Sequence, residues 1–201
     1  MQRRADLEAA AGIRPGRFQY MNQIHGNDVL VIDSETERPT ADAMVSRGHP
    51  LAVMVADCVP VVMVGEPAAE AAGSDSLPVL AVVHAGRPGM ASGVVPAAVA
   101  TMREAGAVDI RAWLGPSVCG RCYEVPAGMR EDVAEVVPAS WSETSWGTPG
   151  LDLPAGVRSQ LLAEGVRIEY SGPCTLENEA LFSYRRNSHT GRFAGLVWTY
   201  E

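Results

Sequence analysis

The stretch LAVMVADCVPVVMV, residues 51–64, holds two apolar runs, 51–56 and 59–64, broken only by Asp57 and Cys58. Runs that do not alternate with polar residues suit strands buried on both faces. A third run, 79–83, ends at His84. Working outward, residues 17–23 and 29–33 predict strands around the polar turn His25-Gly26-Asn27-Asp28, and 110–114, 166–170 and 192–200 predict three more. Helices are expected over 3–11, closed by Gly12, and from the Gly86, Pro88, Gly89 entry to about residue 105, stopped by Gly106. Two further helices are expected near 127–137 and 154–164. Segments 34–40, 66–78 and 139–150 read as loops. Strands and helices mix without strict βαβ alternation, so the expected class is α+β with a mixed β-sheet. A chain of 201 residues fits one domain.

Composition removes several kinds of chemistry. All sixteen basic residues are arginine and none is lysine. A Walker-type phosphate loop, a kinase strand lysine and a Schiff-base nucleophile are therefore excluded. The net charge of −8, without a basic cluster beyond Arg185-Arg186, argues against nucleic acid or an anionic membrane as partner. No run approaches the ~20 apolar residues of a membrane span. The first twelve residues lack the apolar core of a secretory signal, so a cytoplasmic protein is expected. Its four cysteines are then expected as thiols rather than a disulfide framework.

Three chemistry-bearing residues stand at the ends of apolar or polar elements: His25, Cys58 and His84. Side chains at strand ends converge where open sheets bind ligands. Two imidazoles and a thiolate, separated by 33 and 26 residues, suit a catalytic Zn²⁺ with an open fourth position. The same Cys58 and His84 also make a thiol–imidazole nucleophile pair, for which His25 is not required. The strand-to-helix turn His84-Ala85-Gly86-Arg87-Pro88-Gly89 offers backbone amides and a guanidinium to a phosphate, and Arg192 is a second anion candidate. Cys119-Gly120-Arg121-Cys122 is a CxxC without a second CxxC to complete a zinc knuckle, and it reads as small residues in a turn beside the site. Asp57, Glu124 and Cys119 are the acid/base candidates.

Taken in order, Asn22-Gln23-Ile24-His25, Ala41-Asp42-Ala43, Ala56-Asp57-Cys58-Val59-Pro60, Val83-His84-Ala85-Gly86, Gly115-Pro116, Tyr123-Glu124-Val125, Leu151-Asp152-Leu153, Cys174-Thr175 and Phe182-Ser183-Tyr184-Arg185-Arg186 with Thr190-Gly191-Arg192 form a specific set. This set resembles the YfiH-like, laccase-domain family, also labelled polyphenol oxidase. The resemblance implies a compact α/β/β/α-type domain over residues 1–201, related to the catalytic domains of cytotoxic necrotizing factors and lacking the family's N-terminal segment. It implies metal ligation by His25, Cys58 and His84, and phosphorolysis of adenosine, inosine and methylthioadenosine, with adenosine deamination as a side activity. Two other readings follow from it: a thiol amide hydrolase of the peptidoglycan-precursor-editing kind, and a truncated zinc-binding protein without turnover. Zinc is the expected metal, with a single copper allowed by the same donors. A multicopper oxidase needs many imidazoles, and four histidines do not furnish a blue copper plus a three-copper cluster. Where the family has His-Ala-Gly-Trp-Arg-Gly, this chain has Arg87-Pro88 in place of Trp-Arg. The expected mechanism sets purine near the metal and phosphate on the Gly86–Gly89 turn with Arg87 or Arg192. For deamination, the metal lowers the pKa of a water toward ~7.

Overall fold

The computed structural model describes residues 2–14, 16–34, 38–67 and 77–199. Residues 35–37 and 68–76 of the expected loops at 34–40 and 66–78 therefore lie outside the described residues. The apolar runs form β3 (Leu51–Val55), β4 (Val59–Pro67) and β5 (Val79–Ala85), with every residue of β5 buried. With β1 (Val29–Ile32), β2 (Ala43–Arg47), β6 (Ala107–Leu114) and β9 (Arg167–Ser171), β4 and β5 build a six-stranded sheet ordered β1-β2-β5-β4-β6-β9. The middle pairs are antiparallel, while β1–β2 and β6–β9 at the edges are parallel. β3 leaves this sheet and pairs with β10 (Phe193–Val197) as a two-stranded antiparallel ribbon. The fold is thus a mixed α/β single domain.

Strand parity decides which residues meet. On β4 and β5 the odd-numbered Val59, Val61, Met63, Val79, Ala81 and Val83 face the helices α2 (Arg87–Ala91), α3 (Val94–Glu104) and α5 (Leu153–Ala163) in the larger core. The even-numbered Met44, Leu80 and Val82 face the β3–β10 ribbon in a second core with Leu51, Val53, Val55 and Val197. Beyond the ribbon, Phe18, Tyr20 and Ala52 make a third cluster with the segment that follows α1 (Gln2–Ala10). Side chains alternate along a strand, so Asp42, Cys58 and His84, all even-numbered, are directed to the ribbon side at one end of the sheet. Leu80→Ala, which empties part of this second core at a residue 1% exposed, is expected to cost about 2–5 kcal/mol in urea unfolding, with an unchanged denaturant slope.

Several elements differ from the sequence expectation. Residues 17–23 form isolated bridges, Gln19 to Leu51 and Asn22 to Thr40, and not a strand. The helix expected from Gly86 to 105 is broken into α2 and α3 because Gly93 takes φ 85°. The strand β2 was not expected at all. The segment 139–150 contains a 3₁₀ turn (Pro138–Ser140) and a hairpin of β7 (Trp141–Glu143) with β8 (Pro149–Leu151). α4 (Ala127–Val136) and α5 stand within a residue of their expected bounds. No helix among the described residues is long and apolar enough to cross a membrane.

Candidate metal centre

His25, Cys58 and His84 bring one donor atom each to within 4.8 Å of one another. Cys58 Sγ lies 3.8 Å from His25 Nε2, and the two imidazoles meet edge to face with centroids 4.6 Å apart. His84 is 3% exposed, Cys58 is half-buried, and His25 opens to solvent.

Asp42 organises all of this. In the β2–β5 register Ala43 faces Val83, so Asp42 falls opposite His84, whose backbone N donates to Asp42 O at 2.8 Å. The side chains repeat the pairing, with His84 Nδ1 2.7 Å from Asp42 Oδ1 and both groups buried. The same carboxylate accepts the amides of Ile24 (3.2 Å), His25 (2.9 Å) and Gly26 (2.7 Å). One buried anion therefore orients His84 through its ring and His25 through its backbone, which it holds at φ 63°. With Nδ1 donating to Asp42, Nε2 is the nitrogen left to a metal, which would take the place of its proton, the carboxylate–imidazole arrangement found around ligating histidines. Burial opposes charge on Asp42, yet the His84 hydrogen bond and the Gly26 and His25 amides hold its carboxyl below the ordinary value. Burial likewise opposes charge on His84; the Asp42 bond, followed by Cys58, outweighs it and raises the imidazole to about 9. Burial raises the Cys58 thiol, and the hydrogen bonds of His25 and His84 outweigh that effect and bring it down to about 7.

The donors suit a metal. One thiolate and two imidazoles are zinc or single-copper ligands, and the space among them depends on a glycine. A Cβ on Gly86 would lie 2.6 Å from His25 Cδ2 and 3.3 Å from Cys58 Sγ. Gly86→Ala is expected to keep the fold while displacing His25, weakening metal retention against a competing chelator by about tenfold or more. The other two histidines are elsewhere: His49 Nε2 lies against Asp33 O and His189 Nδ1 against Ser188. Among the described residues no cluster of imidazoles exists for a set of several coppers.

The centre opens into a cleft of about 1150 Å³. Arg4, Arg38, Arg87, Arg185 and Arg192 line it, and Asp57 is its one lining carboxylate among the described residues. Asp57 is already engaged: Oδ1 accepts Thr175 Oγ1 at 2.6 Å and Oδ2 accepts Arg185 N at 2.7 Å. Arg185 stacks on Tyr123 and Arg192 lies over Tyr184, whereas Arg87 has no hydrogen-bond or ion-pair partner among the described residues. Of the remaining candidates, Glu124 is exposed and accepts Trp146 Nε1 at 3.0 Å, outside the cleft lining. Cys119 also stands outside it, beside Cys122 and Cys174. Gly86 and Gly89 do not line the cleft; a Cβ on Gly89 would lie 2.7 Å from Gly26 O, so both glycines serve close packing. Sequence reasoning passed over Asp42, Arg4, Arg38, Tyr123, Thr175 and Arg185 as site residues.

Residues 1–200 match the family model described as Multi-copper polyphenol oxidoreductase laccase. The chain is 50% identical to Purine nucleoside phosphorylase SCO2081 of Streptomyces coelicolor, over 96% of this chain and 81% of that protein. It is 49% identical to Purine nucleoside phosphorylase ORF3 of Streptomyces griseus, over 96% and 80%. Among solved structures it is similar to YlmD from Geobacillus stearothermophilus, with a TM-score of 0.80 and 31% identity, covering 98% of this chain and 79% of the other.

Proposed function

The chain belongs to the multi-copper polyphenol oxidoreductase laccase family, and from that premise we propose that it is a metal-dependent purine nucleoside phosphorylase with an adenosine deaminase side activity. One observation carries the reading: in a protein of net charge −8, five arginines and, among the described residues, a single, already bonded carboxylate surround a cleft that ends on two imidazoles and a thiol. Such a cleft attracts a small anion against the field of the whole molecule. The name of the relatives, purine nucleoside phosphorylase, supports phosphate as that anion and a purine nucleoside as its co-substrate; in this reading the nucleoside is adenosine, inosine or methylthioadenosine.

His25, Cys58 and His84 hold the metal, zinc in this reading. When bound, it supplies Lewis acidity for charge developing on a departing purine and for acidifying water in deamination. Asp42 fixes the His84 tautomer and aims His25. Arg87 is the phosphate ligand, free to form a charge-assisted pair, with Arg192, held over Tyr184, as a second anion contact. Among Asp57, Glu124 and Cys119, only Asp57 lines the cleft. Its bonds to Thr175 and Arg185 make it a positioning group.

The test is turnover of inosine and adenosine by protein of measured metal content, with and without phosphate. Phosphate-dependent ribose 1-phosphate, lost in His25→Ala and Cys58→Ala, is the expected result. Arg87→Ala is expected to raise the KM for phosphate roughly 10–100-fold, the loss of one charge-assisted contact, with the nucleoside KM little changed. A second reading, the thiol amide hydrolase, draws on the Cys58–His84 pair, whose donor atoms lie within 4.8 Å of each other, and on a Cys58 thiol brought down to about 7. Amide hydrolysis that survives His25→Ala and stops on thiol alkylation would replace phosphorolysis with that chemistry.

A further inference from the structure

Away from the cleft, two loops bring four more donors together. Cys119 and Cys122 sit on a tight turn in which the Cys122 and Tyr123 amides both donate to Cys119 O at 3.0 Å. The second loop follows β9 and carries Cys174-Thr175-Leu176-Glu177. Backbone bonds join the two loops, Ser117 N to Pro173 O at 3.3 Å and Thr175 N to Ser117 O at 3.0 Å, and this pairing delivers Cys174 to the CxxC turn. The Sγ atoms of Cys119, Cys122 and Cys174 and a Glu177 carboxylate oxygen all lie within 4.8 Å of one another.

We propose that Cys119, Cys122, Cys174 and Glu177 bind a second, structural Zn²⁺ that clips the 115–126 loop to the 172–178 loop. Zinc–sulfur bonds of about 2.3 Å in a tetrahedron place neighbouring donors roughly 3.5–3.8 Å apart. Glu177 Oε1 stands 3.7 Å from Cys119 Sγ and 3.6 Å from Cys122 Sγ. The spacing is that of a structural site: two close pairs, C-x-x-C and C-x-x-E, drawn from two loops and closing all four positions. The first centre has three widely separated donors and leaves a position open. The surroundings also complete the shell. The Cys119 amide points at Cys174 Sγ at 3.4 Å, and Arg121 Nη2 lies 3.0 Å from Glu177 Oε1, offsetting part of the negative charge that three thiolates and a carboxylate carry beyond the ion.

The clip bears on the cleft without entering it. Thr175, between the two ligands of the second loop, donates its hydroxyl to Asp57, the neighbour of Cys58. Arg186 fastens the same loop from the other side, through the carbonyls of Thr175, Leu176, Asn178 and Leu181. This inference does not depend on the phosphorylase reading.

Elemental analysis of the full chain, purified without chelator, is expected to find two zinc ions per chain. One is expected in His25→Ala/Cys58→Ala and one in Cys119→Ser/Cys174→Ser. Cobalt loaded into His25→Ala/Cys58→Ala is expected to give thiolate-to-cobalt charge-transfer absorption and tetrahedral visible bands, with every ligand of the second site intact. One zinc per wild-type chain that is retained in Cys119→Ser/Cys174→Ser, or a folded His25→Ala/Cys58→Ala protein that takes up neither zinc nor cobalt, would overturn the proposal. So would a Cys119–Cys122 disulfide in the freshly purified protein.

Discussion

Asp42→Ala is expected to destabilise the chain by about 3–5 kcal/mol, the cost of removing one partner of a buried ion pair. It strands the protonated His84 ring and the amides of Ile24, His25 and Gly26 at once. The backbone at His25, held at φ 63°, loses its anchor in the same step. Asp42→Asn separates the site from the fold. An amide keeps the shape but offers one acceptor atom where the carboxylate uses two. If Oδ1 stays on His84, Nδ2 meets the Ile24 and Gly26 donors; if the amide flips, His84 must give up its Nδ1 proton and protonate Nε2, the nitrogen aimed at the metal. The expected result is metal affinity lower by about 10–100-fold. The zinc-induced rise in unfolding free energy shrinks correspondingly by about 1.4–2.7 kcal/mol. Zinc titration against a competing chelator and urea unfolding, each with and without zinc, read the two effects. An Asp42→Asn protein that binds zinc as tightly as wild type would remove Asp42 from the ligand-orienting role.

How the donors found each other was largely legible. The apolar runs at 51–56, 59–64 and 79–83 are long enough to identify buried strands. Cys58 and His84, polar at their ends, share a parity that puts them on one side. Asp42 was hidden because the strand it precedes is five residues long and reads AMVSR, too short to show a period. Its signal was an acid set between Ala41 and Ala43, 0% exposed in the fold, where a charge must have partners. The hairpin β7–β8 escaped because Ser, Thr, Trp and Gly fill it and nothing alternates. Residues 17–23 alternate in part, yet they make only single bridges: Gln19 bonds along β3, while further on it is the Gln23 side chain, not its backbone, that meets the Met54 amide and carbonyl. The second cluster was half visible as a CxxC. Its other half, Cys174-x-x-Glu177, is not a familiar pair, and only the return of the chain after β9 sets it beside Cys119.

The lysine-free composition acquires a position. Sixteen arginines are scattered in the sequence, yet five of them gather around the cleft with one carboxylate among the described residues. Tyr20, Tyr123 and Tyr184 carry three of these guanidiniums on their rings. Planar cations stacked on aromatics are held in place more firmly than flexible ammonium groups. Anion capture here depends on arginine geometry, and an Arg-to-Lys change at Arg185 gives up the stacking as well as the fork.

Asp57→Ala, finally, is expected to cost about 3–5 kcal/mol, since two hydrogen bonds to a charged acceptor are lost and each contributes about 1.5–3 kcal/mol. Alanine must also occupy φ 79° with no side chain to support it. Asp57→Asn is the informative partner. Asparagine tolerates the left-handed region, and its Oδ1 still accepts the Thr175 hydroxyl, so a smaller loss of about 1–2 kcal/mol is expected. The two roles open to Asp57 then part at full metal occupancy. A proton-transferring carboxylate contributes roughly 10²–10⁴-fold to turnover, and its amide would lose that factor together with one limb of the pH–rate profile. A carboxylate that holds Thr175 and Arg185 in place lets the amide keep turnover within about tenfold of wild type, with the profile's shape unchanged. The second outcome is expected, because both oxygens are already committed, to the Thr175 hydroxyl at 2.6 Å and the Arg185 amide at 2.7 Å. A collapse of kcat in Asp57→Asn with unaltered zinc content would return Asp57 to acid–base chemistry.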